Sequence, residues 1–183
     1  MQKNFLLFII FTLFFFLTSF FFIKEVNSAN ESLVCPGLKM FKNWCAGEHV
    51  ENDTKACLMV ARPLKSKGDY KKRGTVTATI YHIPNQNNET VFYITAGYMY
   101  KSESYVSITI DNKDKFELRL IENDAAWTDE DSIDKDIVES MKKGNKMTVI
   151  GYSSRGTKTT DIYSLMGFTS AYKYISQSCN IKN

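Results

Sequence analysis

Thr75–Ile83 reads TVTATIYHI. In an extended chain Val76, Ala78 and Ile80 fall on one side and Thr77, Thr79 and Tyr81 on the other. That two-residue period marks a strand with one buried face. Pro84 ends it, because proline cannot donate to a ladder, and Asn85-Gln86-Asn87-Asn88 follows as a polar loop. Working outward, the pattern recurs in Lys55–Arg62 (KACLMVAR), Thr90–Ala96 (TVFYITA), Ser104–Ile110 (SYVSITI) and Lys115–Ile121. Asp111-Asn112-Lys113-Asp114 forms the turn between the last two. Lys146–Tyr152 and Thr159–Tyr163 read as a late hairpin around Ser153-Ser154-Arg155-Gly156. About seven short strands between turn signals predict an all-β fold, a β-sandwich or barrel-like domain.

Two short helices interrupt the strands. Ile133, Ile137, Val138 and Met141 share one face of Ser132–Lys143, which starts acidic and ends on Lys142 and Lys143, complementing the helix dipole. Gly144 then suits a left-handed residue after the helix. The second helix runs from about Gly167 to Ser176, with Leu165, Phe168, Ala171, Tyr172 and Ile175 forming its apolar stripe.

The first 29 residues have another character. Phe5–Ile23 contains no charge and holds nine of the 13 Phe, between Lys3 and Lys24. The positive start and apolar run describe a signal peptide over residues 1–29, with an uncleaved membrane anchor through residues 5–23 as the alternative. Either way residues 30–183 form one exported domain, in the periplasm or on the outer cell surface. That domain carries 21 basic and 19 acidic side chains, a net charge of +2. So even a balance argues against a nucleic-acid binder, and the ordinary apolar fraction argues against disorder.

All four cysteines, Cys35, Cys45, Cys57 and Cys179, lie in the exported part. An even count in an exported chain reads as two disulfides with three possible connectivities. Cys45–Cys57, closing a short loop, and Cys35–Cys179, stapling the ends, are the favoured pairing. No C-x-x-C is present and His49 and His82 are the only imidazoles, so no metal site and no cofactor are expected. The acidic run Asp129–Asp136 lacks the glycine and terminal Glu of a calcium loop and reads as a solvated helix start. Neither G-x-S-x-G nor H-E-x-x-H occurs, so no catalytic residues are assigned.

Two polar groups stand out as contact candidates. Arg62, Lys65, Lys67, Lys71, Lys72 and Arg73 crowd one loop and form a candidate site for an anionic ligand. Arg155, Thr157, Lys158 and Asp161, around the late hairpin, form a candidate recognition edge, with Thr159 and Asp161 on one face of the returning strand and Asp161 accepting from Arg155 or capping the following turn. The tyrosines, Tyr81, Tyr93 and Tyr105 among them, suit either a contact surface or cross-strand packing.

The run Ser153–Gly167 (SSRGTKTTDIYSLMG) with Phe168-Thr169-Ser170-Ala171 resembles the invasion-associated locus B family. So do Trp44, Arg62-Pro63, Arg73-Gly74-Thr75 and Glu89–Tyr98 (ETVFYITAGY). The resemblance covers roughly Lys42 to Ser176. It implies a single β-sandwich-like domain, exported to the envelope of a bacterium and linked by the family's name to host-cell invasion. It implies no catalytic residues. Many relatives carry a Cys pair just ahead of the long helix, where this chain has Asp124-Ala125-Ala126-Trp127. The expected function is therefore a non-enzymatic binding module for an envelope component or partner protein. A periplasmic hydrolase acting on glycan or peptide and a surface adhesin are the alternatives.

Overall fold

In the computed structural model, residues 35–51, 54–84 and 89–181 are described; the signal or anchor segment lies outside them. The chain opens with β1 (Lys39–Phe41), β2 (Trp44–Glu51), β3 (Thr54–Ala61) and β4 (Lys65–Gly68). It continues through β5 (Thr77–Ile83), β6 (Glu89–Thr95), β7 (Val106–Ile110) and β8 (Asp114–Leu118). Two short strands, β9 (Leu120–Glu122) and β10 (Ala125–Trp127), precede helix α1 (Asp131–Lys143). The hairpin β11 (Lys146–Tyr152) and β12 (Lys158–Ser164) leads into helix α2 (Phe168–Ser178).

These strands form two open sheets. One has seven strands in the order β1-β2-β3-β5-β6-β10-β9, and the other five, in the order β4-β12-β11-β7-β8. The fold is all-β with two helices, as expected, but it is not a closed barrel. β5, the strand read first, sits in the middle of the seven-stranded sheet. Its Val76–Ile80 face is buried, and the opposite face carries Thr77, Thr79 and Tyr81.

About seven strands were expected, and twelve are present among the described residues. The additional ones are β1, β2, β4, β9 and β10. Trp44–Glu51 (WCAGEHVE) mixes Gly, His and Glu, and Lys65–Gly68 (KSKG) is wholly polar, so neither alternates apolar with polar. Both are strands because a neighbour supplies the ladder: β3 for β2, and β12 for β4.

The inner faces of both sheets and both helices share one core that includes Trp44, Met59, Ile80, Phe92, Ile108 and Phe168. Burying each such side chain contributes about 1.5–3 kcal/mol. α2 packs on β1, β2, β3 and β5, and α1 on β6, β8 and α2. The Trp44 indole sits edge-on to Phe168 at 5.0 Å, and its Nε1 donates to the Ser164 carbonyl at 3.1 Å. That bond ties the start of β2 to the end of β12, across the two sheets.

The turns follow local chemistry. Asp111 and Asn112 both have positive φ (48° and 60°), and Lys113 N–H returns to the Ile110 carbonyl. This is a type I′ turn, whose twist matches the strands, within a three-residue connection between the paired Ile110 and Asp114. Gly156, at the tip of the late hairpin, has φ of 84°, as read from the sequence. Gly144 departs from expectation. Its φ is −90°, an ordinary extended value. The requirement there is space, because a Cβ would collide with Ile110 Cγ2.

Candidate functional site

The disulfides are Cys35–Cys45 and Cys57–Cys179, not the favoured Cys45–Cys57 and Cys35–Cys179. Strand register explains the correction. Cys45 pairs with Val60, three residues from Cys57 on β3. An odd offset places the two thiols on opposite faces of the sheet. Cys45 faces outward, where Cys35 reaches it, and Leu38 packs where a side chain on Gly47 would stand. Cys57 faces inward, where Cys179 arrives at the end of α2. Beside that bond, His82 is fully buried. Its Nε2 lies 3.3 Å from Ser176 Oγ and its Nδ1 3.0 Å from Thr90 Oγ1. Ser176 Oγ also donates to the Tyr172 carbonyl at 2.9 Å, and the Tyr172 ring stands edge-on to the imidazole at 5.2 Å. This Ser–His contact fixes α2 on the sheet.

The most ordered polar cluster lies off the other end of β5. Gly74 N–H donates to the Gly97 carbonyl at 2.9 Å, and a Cβ on Gly97 (φ 67°) would come within 2.5 Å of the Gly74 backbone. Only glycines permit that approach. It sets Arg73 beside the end of β6, where Arg73 Nε donates to the Ala96 carbonyl at 2.6 Å. The guanidinium then makes two parallel bonds to Asp161, each 2.7 Å. Both side chains are about 95 % or more buried, at 5 % and 3 % exposure. The Tyr98 and Tyr70 rings lie 5.0 and 5.5 Å from the guanidinium carbon. Tyr98 Oη is 2.7 Å from Thr159 Oγ1.

Protonation follows from this packing. Burial alone would lower the Arg73 pKa, but the bonds and charge of Asp161 outweigh it and raise it. Burial raises Tyr98, with Thr159 and Arg73 opposing, and raises Tyr100 and Tyr163. Thr159 and Asp161 share one face of β12, as read from the sequence, and the structure makes it the inner face, with Tyr163 beside them.

Both candidate contact groups are redrawn by this geometry. Arg73 leaves the anionic set, because its guanidinium is committed to Asp161 and Ala96. Asp161 leaves the recognition edge, because it is buried under the five-stranded sheet and accepts from Arg73, not Arg155. Arg155 and Lys158 are exposed and Thr157 half-buried; Lys67, Lys71 and Lys72 are exposed, and Arg62 and Lys65 half-buried. β4 brings the rest together. Its Lys67 pairs with Thr160 and its Lys65 with Ile162, so both lysines share the outer face of the sheet with Lys158.

Lys115 and Lys146 project from the same face, on β8 and β11. Sequence reading missed these two, although the alternation of β11 already separates Lys146 from buried Met147 and Val149. The other sheet's outer face is aromatic. Tyr93 stands between Thr79 and Trp127 in register, and Tyr81 meets Tyr93 edge-on at 6.0 Å. No cluster of three or more His, Cys, Asp or Glu able to hold a metal occurs among the described residues.

Two open sheets and two helices that bury one side each in a shared core, stapled by two disulfides, define a disulfide-bonded β-sandwich. The invasion associated locus B (IalB) protein family model matches residues 44–176, and the chain belongs to that family. No curated protein sequence matched it. Among solved structures, the invasion associated protein b from Bartonella henselae is similar, with a TM-score of 0.54 at 14 % identity, over 78 % of this chain and 98 % of that one. That likeness supports the fold.

Proposed function

We propose that the protein is an exported, non-catalytic binding module of the bacterial cell envelope, held in the periplasm or at the outer surface. The observation that carries this reading is the commitment of its buried reactive groups to one another. His82 is held by Ser176 and Thr90, Asp161 by Arg73, and Asp134 accepts from Phe92 N–H at 3.1 Å. The extended surfaces facing solvent are sheet faces, which suit contact more than turnover. Two disulfides favour an oxidising compartment, and the apolar stretch of residues 5–23 supplies the export signal or tether. The partner is an envelope component, and the link to host-cell invasion comes from the family's name.

The test uses the protein recovered from its native envelope. Retention of a specific envelope component, without turnover of glycan or peptide substrates above a heat-killed control, supports binding. Turnover that His82→Ala or Asp161→Asn abolishes while the fold survives overturns it in favour of a hydrolase. Protease shaving of intact cells separates the periplasmic location from an exterior adhesin.

A further inference from the structure

The β1 edge of the seven-stranded sheet meets the start of α2 in one basic, partly apolar surface. Lys42 packs against Gly167, where an added Cβ would stand 3.0 Å from the Lys42 Cβ. Asn43 N–H donates to the Met166 carbonyl at 3.3 Å. The Phe41 and Tyr174 rings lie 5.3 Å apart, and Lys39 Nζ sits 5.3 Å from each. Met166 is 63 % exposed beside them, and Lys39, Lys42 and Lys173 are exposed around it. Neither Cys35–Gly47 nor Leu165–Cys179 contains an acidic residue. The three lysines form no ion pair among the described residues. Acidic side chains on neighbouring elements are engaged elsewhere. Glu139 pairs with Lys142 and Glu48 with Lys55, and Asp111 accepts from the N–H groups of Asn145 and Lys146.

We infer that this surface docks the domain onto an anionic phospholipid bilayer. The inference rests on the export half of the reading above and names the surface that meets the membrane. Lysines beside an anionic leaflet each strengthen attachment by roughly fivefold. Their stems lie along apolar surface while the amines reach the head groups. Met166 supplies an apolar contact, and Tyr174 is a residue type favoured at the membrane interface. The position of the chain entry agrees. The Cys35–Cys45 bond pins the entering chain to β2, next to β1, and residues 24–34 span at most about 40 Å back to the apolar stretch of residues 5–23. Retained as an anchor, that stretch holds this edge near the bilayer, and a tether with a basic patch makes the two signals that stable attachment needs. The outer face of the five-stranded sheet also carries exposed Tyr105 and Tyr152. There, however, Arg119 lies over the Tyr105 ring and pairs with Glu117, Glu103 and Asp114 are exposed nearby in the chain, and the tether enters from the other sheet.

The test uses the protein as recovered from its native envelope, reconstituted with vesicles of phosphatidylcholine alone or mixed with phosphatidylglycerol, and in lipid-free buffer. A membrane-impermeant acylating reagent reads lysine exposure, and hydroxyl-radical footprinting reads methionine exposure. With the anionic vesicles, Lys39, Lys42, Lys173 and Met166 are expected to react at least about fivefold more slowly than with phosphatidylcholine, a difference that high salt removes. Met99, 54 % exposed and hydrogen-bonded through its carbonyl to Ser154 N–H beyond Tyr152, is expected to stay open. Lys42→Glu/Lys173→Glu should abolish the protection. Lys115→Glu/Lys158→Glu, the same change in net charge on the five-stranded sheet, should keep it. Equal reactivity in the two vesicles, or equal loss in both variants, would overturn the assignment. Protection centred on Met99 and Lys158 would overturn it by moving the bilayer to the five-stranded sheet. Protection in lipid-free buffer that grows with protein concentration would overturn it by identifying a second copy as the occupant. Each of these failures leaves the binding reading standing, since that reading falls only to turnover without retention of an envelope component.

Discussion

Arg73 and Asp161, 88 residues apart, meet through two parallel 2.7 Å hydrogen bonds inside the sandwich. One enters β5 of the seven-stranded sheet and the other sits on β12 of the five-stranded sheet, so the pair clasps the sheets together. Losing one partner strands a buried charge, whereas replacing both removes the desolvation cost along with the attraction. Asp161→Asn and Arg73→Met are each expected to destabilise by about 3–5 kcal/mol, lowering Tm by roughly 6–20 °C. Arg73→Met/Asp161→Asn should be less destabilised than the two single losses combined. Additive losses in thermal or urea unfolding would count against the clasp.

Asp134 gives a pH dependence. Burial raises its pKa from 3.8 to about 6, against the opposing bonds from Phe92 N–H and Thr128. With the folded pKa above the unfolded one, its favourable contribution is complete below about pH 4 and is lost as pH rises through about 6. A shift of this size corresponds to about 2–3 kcal/mol. Asp134→Asn keeps an oxygen for Phe92 N–H and carries no charge. It should leave stability little changed near pH 4 and raise it above pH 6.5. A wild-type-like pH profile in the variant would contradict this.

The disulfides differ in what they restrain. Cys57–Cys179 spans 122 residues of sequence and Cys35–Cys45 spans 10. By loop-closure entropy the first contributes about 4–5 kcal/mol and the second about 2.5–3. Replacing Cys57 and Cys179 by Ser should therefore cost more than replacing Cys35 and Cys45. Peptide mapping without reduction should recover these two pairs; a Cys45–Cys57 peptide would contradict the register of β2 on β3.

The strands that were legible in sequence are those with one buried and one exposed face, such as β5 and β11, because burial writes a period of two into the residues. β2 and β4 were not legible, since WCAGEHVE and KSKG are strands only through their partners. Disulfide pairing failed for a related reason: whether Cys45 and Cys57 face the same way depends on β2–β3 register, which no local pattern records. The candidate contact residues were found as types and misassigned as groups. Arg73 reads like its basic neighbours Lys71 and Lys72, and only the fold brings Asp161 to it. Lys65, Lys67 and Lys158 were identified in two separate lists, and β4–β12 pairing unites them.

The most direct measurement is NMR mapping of the isotopically labelled mature domain during titration with solubilised components of its native envelope. Amide shifts confined to exposed residues, with Arg73, Asp161 and His82 unmoved and no turnover, are the predicted result. Shifts centred on His82 or on the Arg73–Asp161 clasp, accompanied by turnover, would contradict it.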